Sequence, residues 1–558
     1  ITNIAGIIGS SSAASFNTGK LEAGAMLYQS LLNSNNWSGS LRAFELDPTN
    51  GDLKDGDLSE PGLNPDWDAA DELDTRDLSV DTRTILTHDG SSGIAFQWSN
   101  LTSSQQSDLN TDSSGATDSN GSARLDFIRG DRSNEGTGLN FRSRASRMGD
   151  IAHSQAKFVG KPEDPWPDGG QFPSGSDAYS AFKSSQSTRQ SVVYVGGNDG
   201  MLHGFWADLT INNANAGKEV LAYIPSILFS DSTQEGLHYL TETDYNHRFY
   251  VDLSPTVTDV FIDPGSGDSW RSVLVGGLRN GGRGMFALDV TDPTTFSEAN
   301  AADLVLWEFD SSDDADLGYT FSQAVIVKLN NDKWGAIFGN GYNDSGSGTA
   351  QLFILFIEAG VDGTWTSSDY VKLDTGVGSS GDRNGLSRPA VADLDGDFVA
   401  DRVYAGDLEG NLWAFDISSD DDADWDSAYL DGTIPQPLLK ADTSGRGDTP
   451  NSGMPQPITS APALALNTQQ AASGNEPNLL VMFGTGQYVV PSDNNTACPD
   501  GSTGPCAQSF YVVWDRGEGD TADDTRYNLT YDDLVRQEVS NVTAQVTDPD
   551  DDQATIEV

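Results

Sequence analysis

Two stretches of this chain, VVYVGGNDGMLHGFWAD from Val192 to Asp208 and RVYAGDLEGNLWAFDIS from Arg402 to Ser418, align without a gap. Val193 and Tyr194 match Val403 and Tyr404, Gly196 matches Gly406, Gly200 matches Gly410, and Leu202 and Phe205 match Leu412 and Phe415. Each reads as an apolar strand, a short glycine-bearing turn and a second strand with alternating apolar positions. Weaker copies follow the same plan. Val275-Gly276-Gly277 precedes Met285 to Asp289, Phe338-Gly339 precedes Leu352 to Ile357, Phe483-Gly484 precedes Phe510 to Asp515, and Leu41 to Leu46 supplies another second strand. The marker glycines recur at intervals of about 60 to 80 residues, too long for the coils of a solenoid. A single hairpin cannot bury both faces, but several four-stranded blades around an axis can. The expected fold is therefore all-β, an irregular β-propeller of about seven blades with quinoprotein-like repeats; two sheets of a sandwich would not explain so many equivalent hairpins.

Residues 1–35 read as a lead-in, with Thr18 to Ser34 expected as a short amphipathic helix on Leu21, Met26, Leu27 and Leu31. Residues 36–558 read as the propeller, with acidic and Gly/Ser/Asn-rich tracts such as Ser99 to Ala123 as solvated loops. No apolar run is long enough for a membrane-spanning helix. The opening ITNIAGIIGSSSAASF has no Met and no basic region, and reads as the interior or mature end of a longer precursor.

The 84 acidic against 31 basic residues give a net charge of -53, which repels phosphate backbones and sets nucleic acid aside. In this acidic background, VADLDGDFVAD stands out. Counted from Asp393 as position 1, carboxylates fall at positions 1, 3, 5 and 9 (Asp393, Asp395, Asp397, Asp401), and Val399 at position 7 can add its backbone carbonyl. Hard oxygen donors at this alternation suit Ca²⁺ over transition metals. Two positions depart from an EF-hand loop: Phe398 stands where that loop has its turn glycine, and Tyr404 where it has a bidentate glutamate.

Other motifs are weaker. Arg129-Gly130-Asp131 is the tripeptide that integrins read, but an apolar stretch expected as a strand leads into it, and a structural turn with a salt bridge is the preferred reading. Cys498 and Cys506 flank a Pro/Gly loop suited to a local disulfide in an oxidising compartment, with two free thiols as the alternative. Zinc is disfavoured because no His or further Cys stands near them. None of His88, His153, His203, His238 and His247 forms a metal-ligand pair on a helix, and His203 sits where its twin has Trp413, which reads as packing. Neither a nucleophile elbow nor a phosphate-binding P-loop occurs.

The chain resembles the carboxy-terminal propeller of the PilC/PilY family of type IV pilus tip-associated proteins. The matching phrases run in order along it, among them WSGSLRAFELD, FIRGDRSNE, FRSRASRMGDIAHSQAKFVG, HRFYVDLSPTVTDVF, LVGGLRNGGRGMFALDVTDP and DLDGDFVADRVYAGDLEGNLWAFD. The resemblance implies a modified propeller whose Ca²⁺ loop falls on Asp393, Asp395, Asp397, Val399 and Asp401, with Phe398 in place of the more usual glycine. It also implies a non-enzymatic protein that promotes pilus extension, caps the pilus tip through minor pilins and adheres to host or abiotic surfaces. Such a protein is exported through the periplasm of a Gram-negative bacterium. The von Willebrand A-like module that many members carry upstream has no counterpart in this chain. Two other readings stand beside it: a quinoprotein-type dehydrogenase, because the strand repeats resemble those propellers, and a secreted adhesin independent of pili.

Overall fold

Each of those hairpins is an antiparallel ladder in the computed structural model of the chain. The structure describes residues 10–11, 15–17, 24–54, 64–207, 215–442, 454–470, 474–489, 508–517 and 526–535. The two aligned repeats keep one register. Gly196 faces Leu202 and Val192 faces Trp206 in the first; Gly406 faces Leu412 and Arg402 faces Asp416 in the second. The strand-end glycines have a steric reason. A Cβ on Gly196 would lie 2.2 Å from the Val251 carbonyl oxygen, and one on Gly339 would lie 2.3 Å from that of Leu386. In both places the segment entering the next sheet crosses directly over the strand end, and only glycine admits it.

Among the described residues the strands form six sheets of three to six strands and a two-stranded ribbon, Leu430–Asp431 with Ile434–Pro435. The third sheet is the regular one, with Thr256–Ile262, Ser269–Gly277, Gly284–Asp289 and Val305–Asp310 in sequence order. The second and fourth add strands from outside that plan. In the second sheet, Ile85–His88 pairs parallel to Glu219–Tyr223. In the fourth, built on Val325–Leu329, Trp334–Gly339, Thr349–Phe356 and Tyr370–Gly378, the two-residue strand Val399–Ala400 pairs parallel to Val325–Leu329.

The core lies between successive sheets. Met26, Tyr28 and Leu41 of the first sheet pack with Val193, Val195 and Phe205 of the second. Tyr194 and Leu221 of the second join Leu274, Phe286 and Leu288 of the third, and Val260 and Val275 of the third join Ile326, Phe338 and Phe353 of the fourth. Ile337 and Leu352 of the fourth meet Val403, Trp413 and Phe415 of the fifth, whose Tyr404 and Leu412 meet Val481 and Tyr511 of the sixth. Each of the four inner sheets is thus buried on both faces by its neighbours in chain order, as blades of a propeller are, while the sixth leaves Leu466, Phe510 and Val512 exposed. Trp413 and Tyr404 are fully buried on opposite faces of one hairpin, and each such side chain contributes about 2–3 kcal/mol of transfer free energy.

Three local expectations are corrected. The stretch expected as a helix is a strand over Met26–Asn33, paired from Met26 opposite Glu45 to Asn33 opposite Ser38. The adjacent apolar strand Ser38–Glu45 offers a full ladder, which decides between two periodicities that the sequence supports about equally. The boundary drawn at residue 36 therefore falls in a hairpin turn, and Met26–Asn33 belongs to the first sheet. The tract Ser99 to Ala123, expected as solvated loop, contains the helix Ser103–Leu109 and opens the helix Gly121–Ile128. Thr102 and Gln105 close a reciprocal capping box at the start of the first, and Leu101 and Leu109 are buried beneath it. The apolar run before Arg129, expected as a strand, is that second helix. Among the described residues, no helix is long and apolar enough to cross a membrane.

Candidate metal site

The aspartate loop joins two neighbouring sheets. It leaves the fifth sheet at Ala390–Ala392, touches the fourth at Val399–Ala400 and re-enters the fifth at Arg402–Gly406. Its own backbone amides shape it. Asp393 accepts from the Gly396 N–H at 2.7 Å and the Phe398 N–H at 2.9 Å, and Asp395 accepts from the Asp397 N–H at 3.2 Å. Asp401 accepts from the Leu394 N–H at 2.7 Å and from Nδ2 of Asn330, in the fourth sheet's first turn, at 3.2 Å.

Three of the four carboxylates converge: Asp393, Asp395 and Asp401 each offer an oxygen within 4.8 Å of the others. That is inside the ~5 Å separating opposite oxygens around one Ca²⁺ at 2.3–2.6 Å per bond. Asp393 and Asp395 are exposed, whereas Asp401 is 8% exposed. Burial pushes the Asp401 carboxyl above its ordinary range, and the Asp395 and Asp393 charges push it the same way. A divalent cation reverses both effects, so the donor set fits the metal that the spacing implies.

The remaining predicted ligands are placed differently. Asp397 turns away from the trio: its Oδ1 accepts from the Val399 N–H at 2.9 Å and its Oδ2 from Nε2 of Gln171 at 2.8 Å. Val399 is buried in its short strand opposite Lys328. Phe398 adopts φ 70°, the left-handed conformation that favours glycine, and its ring stands edge-on to Trp166 at 6.5 Å. Gln171, Asn330 and Trp166 thus hold the loop from outside. Nothing in the motif points to them, because they lie far off in sequence.

Arg129, Gly130 and Asp131 form the end of the helix Gly121–Ile128, where Gly130 at φ 110° is the left-handed residue past its cap. Arg129 donates to the carbonyls of Phe96 and Arg83 and pairs with Glu298 at 2.8 Å, leaving its side chain 15% exposed. Arg129 thus sits in a turn with a salt bridge, its guanidinium turned onto the protein. Cys498 and Cys506 lie outside the described residues.

His203 is more than packing. Its Nδ1 lies 2.8 Å from Glu219 Oε1 and its Nε2 3.0 Å from Asp199 Oδ1, while Arg83 grips Glu219 through Nε at 2.6 Å and Nη2 at 2.7 Å. The His203, Arg83 and Glu219 side chains are each 1% exposed. Burial opposes protonation of the imidazole, but the Asp199 and Glu219 carboxylates outweigh it and hold its pKa up at about 9.

Comparison with known proteins places these features in a family. The family model of the PilY1 β-propeller domain matches residues 148–547. The type IV pilus biogenesis factor PilY1 of Pseudomonas aeruginosa strain PAK is 37% identical over 529 residues, which cover 90% of this chain and 40% of that protein. A PilY1 homolog of Xylella fastidiosa strain Temecula1 is 38% identical over 402 residues, 70% of this chain and 24% of the relative. The crystal structure of the P. aeruginosa PilY1 C-terminal domain superposes with a TM-score of 0.50 at 34% identity, covering 68% of each chain. The chain thus spans well under half the length of these curated relatives.

Proposed function

This chain belongs to the PilY1 β-propeller family, and from that membership we propose a calcium-dependent, non-enzymatic role in type IV pilus biogenesis at the pilus tip. The observation that supports the calcium reading is the convergence of Asp393, Asp395 and Asp401 in a loop shared by two sheets. Bound there, Ca²⁺ would supply the positive charge that lets three carboxylates sit together. Asp393 and Asp395 would bind it from the exposed side and Asp401 from the sheet junction. Asp397 would complete the shell by leaving Gln171, and Val399 would offer its carbonyl. Because Asp401 lies between a strand of the fourth sheet and one of the fifth, occupancy would fix the junction of those two blades and so favour the conformation that supports pilus extension. Docking to minor pilins, adhesion to host or abiotic surfaces and an extracellular location after export complete the reading.

Calorimetric titration with Ca²⁺ tests the site: Asp393→Ala and Asp395→Ala each lose at least about tenfold in affinity. A pull-down of minor pilins and counts of surface pili in a strain carrying Asp393→Ala test the role. Loss of Ca²⁺ binding with pilus number unchanged would overturn the regulatory part, and undiminished Ca²⁺ binding by both variants would overturn the site.

A further inference from the structure

The loops of four successive sheets line a half-open cavity of about 520 Å³ that, among the described residues, shares none with the aspartate loop. Asn280 comes from the third sheet's central turn, and Tyr319 and Phe321 from the connection to the fourth. Tyr342 and Asn343 come from the fourth sheet's own turn, and Arg383 from the connection to the fifth. Among the described residues the cavity combines aromatic faces, side-chain amides and one guanidinium, the mixture of apolar wall and few convergent polar groups that characterises ligand sites.

Its charge runs against the rest of the molecule. In a chain with 84 acidic and 31 basic residues, arginines have abundant partners. Yet Nη1 of Arg383 is buried without a hydrogen-bond partner, and among the described residues Arg383 makes no ion pair. Next to the lining residue Tyr319, Arg283 lies 5.2 Å from its ring centroid with its Nε also buried and unpartnered. Arg279 lies 5.0 Å from the Phe321 ring centroid and 3.4 Å from Asp252. Unpartnered guanidinium N–H groups are costly and rare inside proteins unless a ligand completes them. The backbone is strained at the same place: Arg279 at φ 51° and Asn343 at φ 59° are both left-handed without being glycine. Such residues cluster where a site must hold a fixed shape.

The ring geometry narrows the ligand. Phe321 and Tyr342 already touch, with centroids 5.2 Å apart and planes tilted by 49°, which leaves no slot between them for a flat ring. A puckered ring with one apolar face needs no such slot. We propose that this cavity binds a carboxylated sugar residue of the uronic acid type. Arg383 pairs with its carboxylate, the aromatic side chains cover its apolar face, and Asn280 and Asn343 exchange hydrogen bonds with its hydroxyls.

The test is calorimetric titration of the full chain with trigalacturonate, and with maltotriose as the neutral counterpart. The acidic trimer is expected to bind about tenfold or more tightly than the neutral one. Arg383→Gln should remove that preference while Arg383→Lys keeps part of it. Leu408→Trp, which fills the cavity from the fifth sheet's turn, should abolish binding and serves as the second variant if Arg383→Gln melts early. Absence of binding by trigalacturonate, equal affinity for both trimers, or binding that survives both Arg383→Gln and Leu408→Trp would overturn the proposal. So would tighter binding of benzoate than of galacturonate. Since cavity and metal loop share none of the described residues, Asp393→Ala should leave trigalacturonate binding intact, so the two readings can fail separately.

Discussion

Phe398 shows how one side chain can be wrong for its backbone and right for its surroundings. At φ 70° it occupies a conformation that costs a non-glycine residue on the order of 1 kcal/mol. It keeps its N–H on Asp393, and its ring meets Trp166. Replacing it by alanine removes the ring but keeps the strain, whereas glycine removes both. Phe398→Ala is therefore expected to be less stable than Phe398→Gly by about 1 kcal/mol, a reversal of the usual ranking, measured by urea unfolding. The same scale separates what the motif revealed from what it hid. Asp393, Asp395 and Asp401 converge as their spacing implied. Asp397 does not, because its partner Gln171 lies in a segment that no local pattern connects to the loop.

At the scale of strands and helices, period-two patterning was readable wherever a hairpin was closed by a glycine turn, as at Val192 to Trp206 and Arg402 to Asp416. It failed at Met26–Asn33, where MLYQSLLN carries apolar residues at both helical and strand spacing and the neighbour Ser38–Glu45 decides. It also failed at Ser103–Leu109, a helix set by its capping box and two buried leucines within a polar tract. The strand Leu202–Trp206 carries a further consequence, because His203 is clamped between Asp199 and Glu219. Its folded pKa of about 9 lies above the ordinary histidine value, so its contribution is complete below about pH 6.5 and is lost as pH rises through 9. The melting temperature should fall by several degrees between pH 7 and 9.5. His203→Gln should melt lower at pH 6 and lose most of that slope, as followed by calorimetry. A slope identical in the variant would place the titration elsewhere.

For the molecule as a whole, the net charge of -53 makes self-repulsion a standing cost of compactness. The Debye length shrinks from ~30 Å at 0.01 M salt to ~8 Å at 0.15 M, so screening acts across whole blades. The melting temperature should climb with NaCl between about 0.01 and 0.5 M and then level off. Millimolar CaCl₂ at constant ionic strength should raise it further in the parent chain and not in Asp393→Ala. The cavity in the loops of four sheets cannot be read from the sequence for a reason of the same scale: its walls are one or two residues from each of several separate loops, and only assembly of the blades brings them together.

The double attachment of the aspartate loop also limits how the blades can move. Ala400 is laddered to Leu329 of one blade, and two positions later Arg402 is laddered to Ala392 of the next. Two residues reach at most ~7 Å, so the two blades are lashed together by a tether with almost no slack. Under a pull along the chain they cannot slide past or part from each other by more than that reach. Any larger travel must first tear the short parallel ladder beside Asp401, which makes this joint a mechanical fuse lying next to the ion-binding carboxylates.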